Sequence, residues 1–211
     1  MIIHEIFHSI QGESTRAGLP CTFVRLTGCP LRCVYCDTQH AFHEGSPMTI
    51  DQIEAEVARH PSRFVTVTGG EPLAQQEVHG LMARLADAGY DVQLETSGAI
   101  DISPVDPRVR VILDVKTPGS GMSERMDWDN LARLRPGDEM KFVLTGETDY
   151  AWALGQLAYR PPAAGVAVLL SPAHGVLEPR DLAAWMTRDG VAARLQLQIH
   201  KYIWGPDCRG V

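Results

Sequence analysis

No stretch of this 211-residue sequence approaches the roughly 20 consecutive apolar residues that a membrane-spanning helix needs. Positive charge is also in short supply. Nineteen Lys and Arg stand against 26 Asp and Glu, and a net charge of −7 argues against gripping a phosphate backbone. Neither nucleic acid nor membrane is therefore expected as a partner, and a small molecule is. Met1-Ile-Ile-His-Glu5 shows no basic segment ahead of an apolar one, so no signal peptide is read there. Only five cysteines occur, three of them between residues 29 and 36. That is no disulfide framework, and it suits a reducing, cytoplasmic location. Linkers and low-complexity tracts are missing too, so residues 1–211 are expected to form a single domain.

What is present is a regular alternation. Strand patterns fall at 21–27, 63–68, 91–96, 109–115, 139–145, 165–171 and 194–200. Thr49-x-x-Gln52 is a capping signal for a helix to about residue 59, and Leu73, Leu81, Met82 and Leu85 keep helical spacing over 73–88, up to Gly89. Further helices are predicted at about 127–134, 149–159 and 179–188. Strands alternating with helices imply right-handed crossovers and a largely parallel sheet. The predicted fold is α/β, a partial (incomplete) β/α barrel with an extra strand over residues 1–10, because about six βα units are too few to close an eight-fold barrel. Polar and glycine-rich groups collect where these strands end, at Gly69-Gly70-Glu71-Pro72, Ser97-Gly98, Lys116, Ser171-Pro172-Ala173-His174 and His200-Lys201. Ligands bind at that end of a parallel sheet.

Cys29-Pro-Leu-Arg-Cys33-Val-Tyr-Cys36 follows the first of those strands and lands on the same face. Three thiolates on a [4Fe–4S] cube leave one iron open to bind and reduce a small molecule. A structural zinc site is the alternative, its fourth ligand drawn from Cys21, Cys208, His40 or His43. Thr68-Gly69-Gly70-Glu71-Pro72 could by itself be an ordinary strand-to-helix turn. The two motifs in this order are much more specific than either one.

The cysteine spacing, with Tyr35 before the last thiol, resembles the cluster loop of the radical S-adenosylmethionine (radical SAM) superfamily. The Gly-Gly-Glu-Pro segment resembles the one that binds the cofactor's methionine amine there. Ile10-Gln11-Gly12-Glu13 near the start, Cys36-Asp37-Thr38, Glu95-Thr96-Ser97-Gly98 and the terminal His200-Lys201 resemble, in order and over essentially the whole chain, the 7-carboxy-7-deazaguanine synthase family. The resemblance implies the radical SAM type of partial barrel. It also implies conversion of 6-carboxy-5,6,7,8-tetrahydropterin to 7-carboxy-7-deazaguanine by radical-initiated ring contraction with loss of ammonia, in queuosine or other deazapurine biosynthesis.

Residue by residue, the resemblance implies that Cys29, Cys33 and Cys36 hold the [4Fe–4S] cluster. S-adenosylmethionine would meet Val34, Tyr35, Asp37, Gly70, Glu71, Asp114, Val115 and Lys116, with Ser171, Pro172, Ala173 and His174 closing over it. Substrate would meet Ile10, Gln11, Gly12, Glu13, Arg25, Thr68, His200 and Val211. Thr38 would hold Mg2+, an ion that keeps most of its waters and needs few protein oxygens. A homodimer and a one-electron donor such as flavodoxin or ferredoxin are implied as well. The residues leave bland alternatives open: Arg25 can be a strand-end salt bridge, and Thr38 can cap the next turn. Cys21 reads as a packed small hydrophobe. Two other functions compete, a radical SAM activase that makes a glycyl radical on a protein, and a non-catalytic zinc-stabilised α/β binding module. The Gln-Gly-Glu segment and Cys-Asp-Thr argue against the activase.

Overall fold

The computed structural model describes residues 1–211. The chain runs β1 (Ile2–Ile10), β2 (Pro20–Leu26), β3 (Ser46–Pro47), α1 (Ile50–Val57), β4 (Phe64–Gly69), α2 (Val78–Asp87), β5 (Asp91–Thr96) and β6 (Arg110–Val115). It continues through α3 (Asn130–Arg133), β7 (Glu139–Leu144), α4 (Glu147–Tyr159), β8 (Ala167–Pro172), α5 (Pro179–Asp189), β9 (Arg194–Leu195) and α6 (Ile199–Ile203). All strands join one sheet in the order β3-β1-β2-β4-β5-β6-β7-β8-β9. The strands from β2 through β4 to β9 are parallel, while β1 pairs antiparallel with both β2 and β3. The two outermost strands do not meet, so the barrel is open, as the sequence predicts.

Alternation along the strands decides which side chains reach the site. Val24, Leu26, Val65, Val67, Val92, Leu94, Val111, Leu113, Val115, Met140, Phe142 and Leu144 belong to one buried cluster beneath the helices. Their neighbours point to the opposite face of the pleat. These are Phe23, Arg25, Thr68, Glu95, Ile112, Asp114, Lys141 and Val143, and all of them line one cavity. The helices add the outer layer: α2 buries Val78, Leu81, Met82 and Leu85 at i, i+3, i+4 spacing, each worth about 1.5–3 kcal/mol when fully removed from water. Thr49 and Gln52 form the expected capping box on α1.

Three expectations need correcting. The strand expected at 194–200 stops after Leu195, and Ile199–Ile203 is helical. Beyond Gln196, whose N–H still reaches Leu170 O at 2.8 Å, the ladder ends; Ile199 N–H instead donates to Gly12 O at 3.0 Å. The helix expected over 127–134 shortens to Asn130–Arg133, because the buried Asn130 side chain is spent on Gly98 O, Ile100 O and Ile102 N–H. The helix expected over 73–88 begins as a 3-10 turn, Pro72–Ala74, and becomes α-helical only at Val78. The short β3 was not anticipated at all.

Candidate functional site

At the carboxyl ends of the parallel strands lies a cavity of about 420 Å3, walled by residues from nearly the full length of the chain. Cys29, Cys33 and Cys36 form part of its wall, each partly buried and none in a disulfide. Burial pushes the Cys29 and Cys33 thiols up. Cys21 cannot complete a set of four. It is fully buried on β2, lies against Thr66 Oγ1 at 3.1 Å, and has its thiol raised by burial to about 12.

The glycine turn after β4 supports the cysteine loop from below. Gly70 N–H donates to Leu26 O at 3.0 Å and Glu71 N–H to Gly28 O at 2.7 Å. A Cβ on Gly70 would stand 2.1 Å from Gly28 O, so only glycine lets the two backbones approach this closely. Glu71 is fully buried and does not face the cavity. Its carboxylate accepts from Leu73 N–H (3.0 Å), Thr96 Oγ1 (2.9 Å) and Ser97 N–H (2.7 Å), tying the end of β4 to the end of β5.

A chain of charged groups crosses the cavity floor. Lys116 and Lys141 lie 2.9 and 3.5 Å from Asp114 Oδ2. Lys141 Nζ also donates to Glu13 Oε2 at 2.7 Å. Gln198 Nε2 donates both to Glu13 Oε1 (2.7 Å) and to Asp37 Oδ2 (3.1 Å). Lys201 Nζ donates to the same Asp37 oxygen at 2.6 Å. Burial works against the charged forms of Glu13 and Asp37, yet Lys141 and Lys201 hold both carboxyls below their usual range. Burial, reinforced by Glu13, instead raises Glu95, which accepts from Thr68 Oγ1 at 2.8 Å and Gln11 Nε2 at 3.3 Å. His200 is lowered by burial, which favours a neutral imidazole. Its ring occupies the place a Cβ on Gly12 would need, with Nδ1 only 1.8 Å from that position.

The cavity brings together all eight residues expected to meet substrate: Ile10, Gln11, Gly12, Glu13, Arg25, Thr68, His200 and Val211. Thr38 is there too; its hydroxyl makes no capping bond to the 3-10 turn that follows and donates instead to Asp37 Oδ1 at 3.2 Å, so its oxygen can still accept from or bind another ligand. Among the expected cofactor contacts, Tyr35, Asp37, Gly70, Asp114, Lys116, Ala173 and His174 line the cavity. Val34, Glu71, Val115, Ser171 and Pro172 do not. Val34 is 71% exposed, its N–H fixed by Ser120 O at 3.1 Å, and Val115 packs in the core by strand alternation. Gln11 also differs from expectation, since both ends of its amide are engaged within the protein, on Thr66, Glu95 and Glu13 N–H. Sequence reading assigned no site role to Glu95, Lys141, Gln198 or Lys201. A charged residue between apolar neighbours on a buried strand, as in Met140-Lys141-Phe142, is the signal available for Lys141.

A family model described as the Radical SAM superfamily matches residues 23–116. The chain is 48% identical to the 7-carboxy-7-deazaguanine synthase of Chlorobaculum tepidum, over 99% of this chain and 96% of that protein. It is 41% identical to the protein of the same name from Koribacter versatilis, over the full length of both. Among solved structures, QueE from Escherichia coli superposes with a TM-score of 0.77 at 24% identity, covering 93% of this chain and 92% of that one. Streptococcus suis SuiB bound to S-adenosylmethionine matches with a TM-score of 0.57 at 11% identity, covering 83% and 51%, which speaks to fold alone.

Proposed function

The chain belongs to the 7-carboxy-7-deazaguanine synthase family of the radical SAM superfamily, and from that premise we propose how its cavity converts 6-carboxy-5,6,7,8-tetrahydropterin to 7-carboxy-7-deazaguanine. The observation that carries the reading is convergence: residues 10–13, Arg25, Thr68, His200 and Val211 reach one cavity beside the three cysteines. Cys29, Cys33 and Cys36 would hold a [4Fe–4S] cluster, with S-adenosylmethionine against Tyr35, Gly70 and Lys116. Bound there, the pair supplies the one-electron chemistry that opens the ring contraction.

The chain's own groups bind and orient. Arg25 Nε is spent on Glu5 Oε1 at 2.8 Å, while its two terminal nitrogens make no bond within the protein. That leaves an open cationic edge for the substrate carboxylate. Arg25 therefore satisfies both readings of the sequence, a strand-end ion pair and an anion receptor. Thr68 and Glu95 present the polar edge that a flat pyrimidine ring requires, and Gln11 aims Glu95 rather than contacting the ring freely. The raised Glu95 carboxyl can hold a proton and donate it to a ring acceptor. His200, neutral, can accept or return a proton where ammonia departs. The tail from Pro206 to Val211 walls the cavity and limits water.

Mg2+ fits beside Thr38, whose hydroxyl oxygen, donating its proton to Asp37 Oδ1 at 3.2 Å, keeps lone pairs that with the substrate carboxylate make an oxygen-only set. Thr38→Ala should flatten the response of rate to added Mg2+ while cluster content stays at the wild-type level. A rate in the unsubstituted enzyme that ignores chelation of divalent ions would remove the metal from the scheme. A cytoplasmic setting, a small electron-transfer protein as reductant and a homodimer complete the reading. No helix of the chain is long and apolar enough to cross a membrane.

The direct experiment is an anaerobic assay with reconstituted protein, the tetrahydropterin and a reductant, following the deazaguanine chromophore. Arg25→Ala should raise KM roughly 10–100-fold, the value of a hydrogen-bonded charge pair at about 1.5–3 kcal/mol. Slow cofactor cleavage without product should persist in that variant. Cofactor cleavage by the wild type with the pterin left untouched would favour an activase instead.

A further inference from the structure

We propose that His4, Glu5 and His40 form a second metal site, for a divalent transition ion such as Zn2+, on the rim of the cavity. The site does not depend on the functional reading above and uses none of the cysteines. One donor atom from each of the three side chains lies within 4.8 Å of the others. The two imidazole rings are 4.9 Å apart, centre to centre.

The local structure explains how consecutive residues come to share a site. Successive strand residues point to opposite faces, so His4 and Glu5 should diverge. The register of β1 against β2 slips between Ile3 and Glu5, the mark of a β-bulge. Ile3 and Ile6 both pack against the core while Glu5 and Phe7 face the cavity, a pattern unbroken alternation could not give. The extra residue is His4, and the bulge re-aims it beside Glu5. His40 arrives from the other side, on the 3-10 turn Gln39–Phe42.

His4 is also prepared electronically. Its Nδ1 lies 3.1 Å from Glu44 O, and a carbonyl only accepts, so the proton sits on Nδ1 and the lone pair on Nε2. The Glu44 carbonyl is itself pinned by Thr27 Oγ1. A backbone carbonyl behind a ligating imidazole is the usual outer support of a protein metal site. Two imidazoles and one carboxylate suit zinc or iron rather than magnesium, with room left for water. All three residues are partly exposed, so an ion can enter without unfolding anything. Bonds of about 2.0–2.2 Å require the donors to draw in by about 1 Å, within reach of rotamer changes at Glu5 and His40. Arg25, paired with Glu5 at 2.8 Å, competes with the ion for that carboxylate.

The test uses anaerobically prepared, cluster-loaded protein cleared of stray metal by a chelator and titrated with Zn2+ against a chromophoric competitor. One zinc per chain is expected in addition to the cluster iron. His4→Ala, His40→Ala and the size-preserving His4→Gln should each weaken that zinc at least about tenfold, with iron content unchanged. Cys208→Ser should leave it in place. Zinc affinity unaltered in the histidine variants, zinc lost only in Cys208→Ser, or no zinc retained by the wild type would each overturn the site.

Discussion

Cys33→Ala is expected to fold, to hold no cluster and to make no product. The thiol is partly exposed on a loop and has no hydrogen-bond partner within the protein, so its removal should cost no more than about 0.5 kcal/mol of stability. The chemistry is another matter. Four cysteines line the cavity, but the fourth, Cys208, lies far from the 29–36 loop in sequence, is exposed and donates to Trp204 O at 2.8 Å. With two thiolates left, a cube has two irons without protein ligands, and nothing in the wall replaces the lost sulfur. Iron and sulfide per chain, together with the visible absorption of the reconstituted protein, decide the matter. Near wild-type iron in this variant would sink the assignment of the loop.

The second large effect is expected at a position that carries no functional group. In Gly70→Ala a methyl carbon must fit 2.1 Å from Gly28 O and 3.0 Å from Cys29 Cβ. The obstruction is backbone, which cannot swing aside as a side chain can. Overpacking of this kind costs about 1–3 kcal/mol, and here the strain falls on the loop that places Cys29. The variant should keep its far-ultraviolet circular dichroism, lose several degrees of thermal stability, and retain little iron after reconstitution. Wild-type iron content and melting behaviour would show that the turn yields, and the close approach would then matter less than the geometry suggests.

Much of the architecture was legible because it depends on local rules. The capping box at Thr49 and Gln52 and the strand over 91–96 appear where pattern alone places them, and the strand expected at 139–145 falls one residue short, at 139–144. The failures have one common cause, which is tertiary demand. Leu195-Gln-Leu-Gln-Ile-His200 alternates as a strand should, yet Gln198 is drawn to Glu13 and Asp37 and the chain turns helical to deliver it. The sequence also pointed to Glu71 as a cofactor contact, although its two oxygens are consumed inside the protein by the very Thr96-Ser97 pair that was recognised as a motif. Pattern identified the segments, but not which member of each faces inward. Strand parity settles that: Thr68, Glu95, Asp114 and Lys141 share one face, whereas Val115 does not.

The sheet begins and ends on strands of only two residues, Ser46–Pro47 and Arg194–Leu195. The short β3 covers only Ile2 and Ile3 of β1, so Glu5–Ile10 keep an outer edge with no partner strand, and polar side chains such as Glu5, His8 and Ser9 along that edge work against the addition of a strand from a neighbouring molecule.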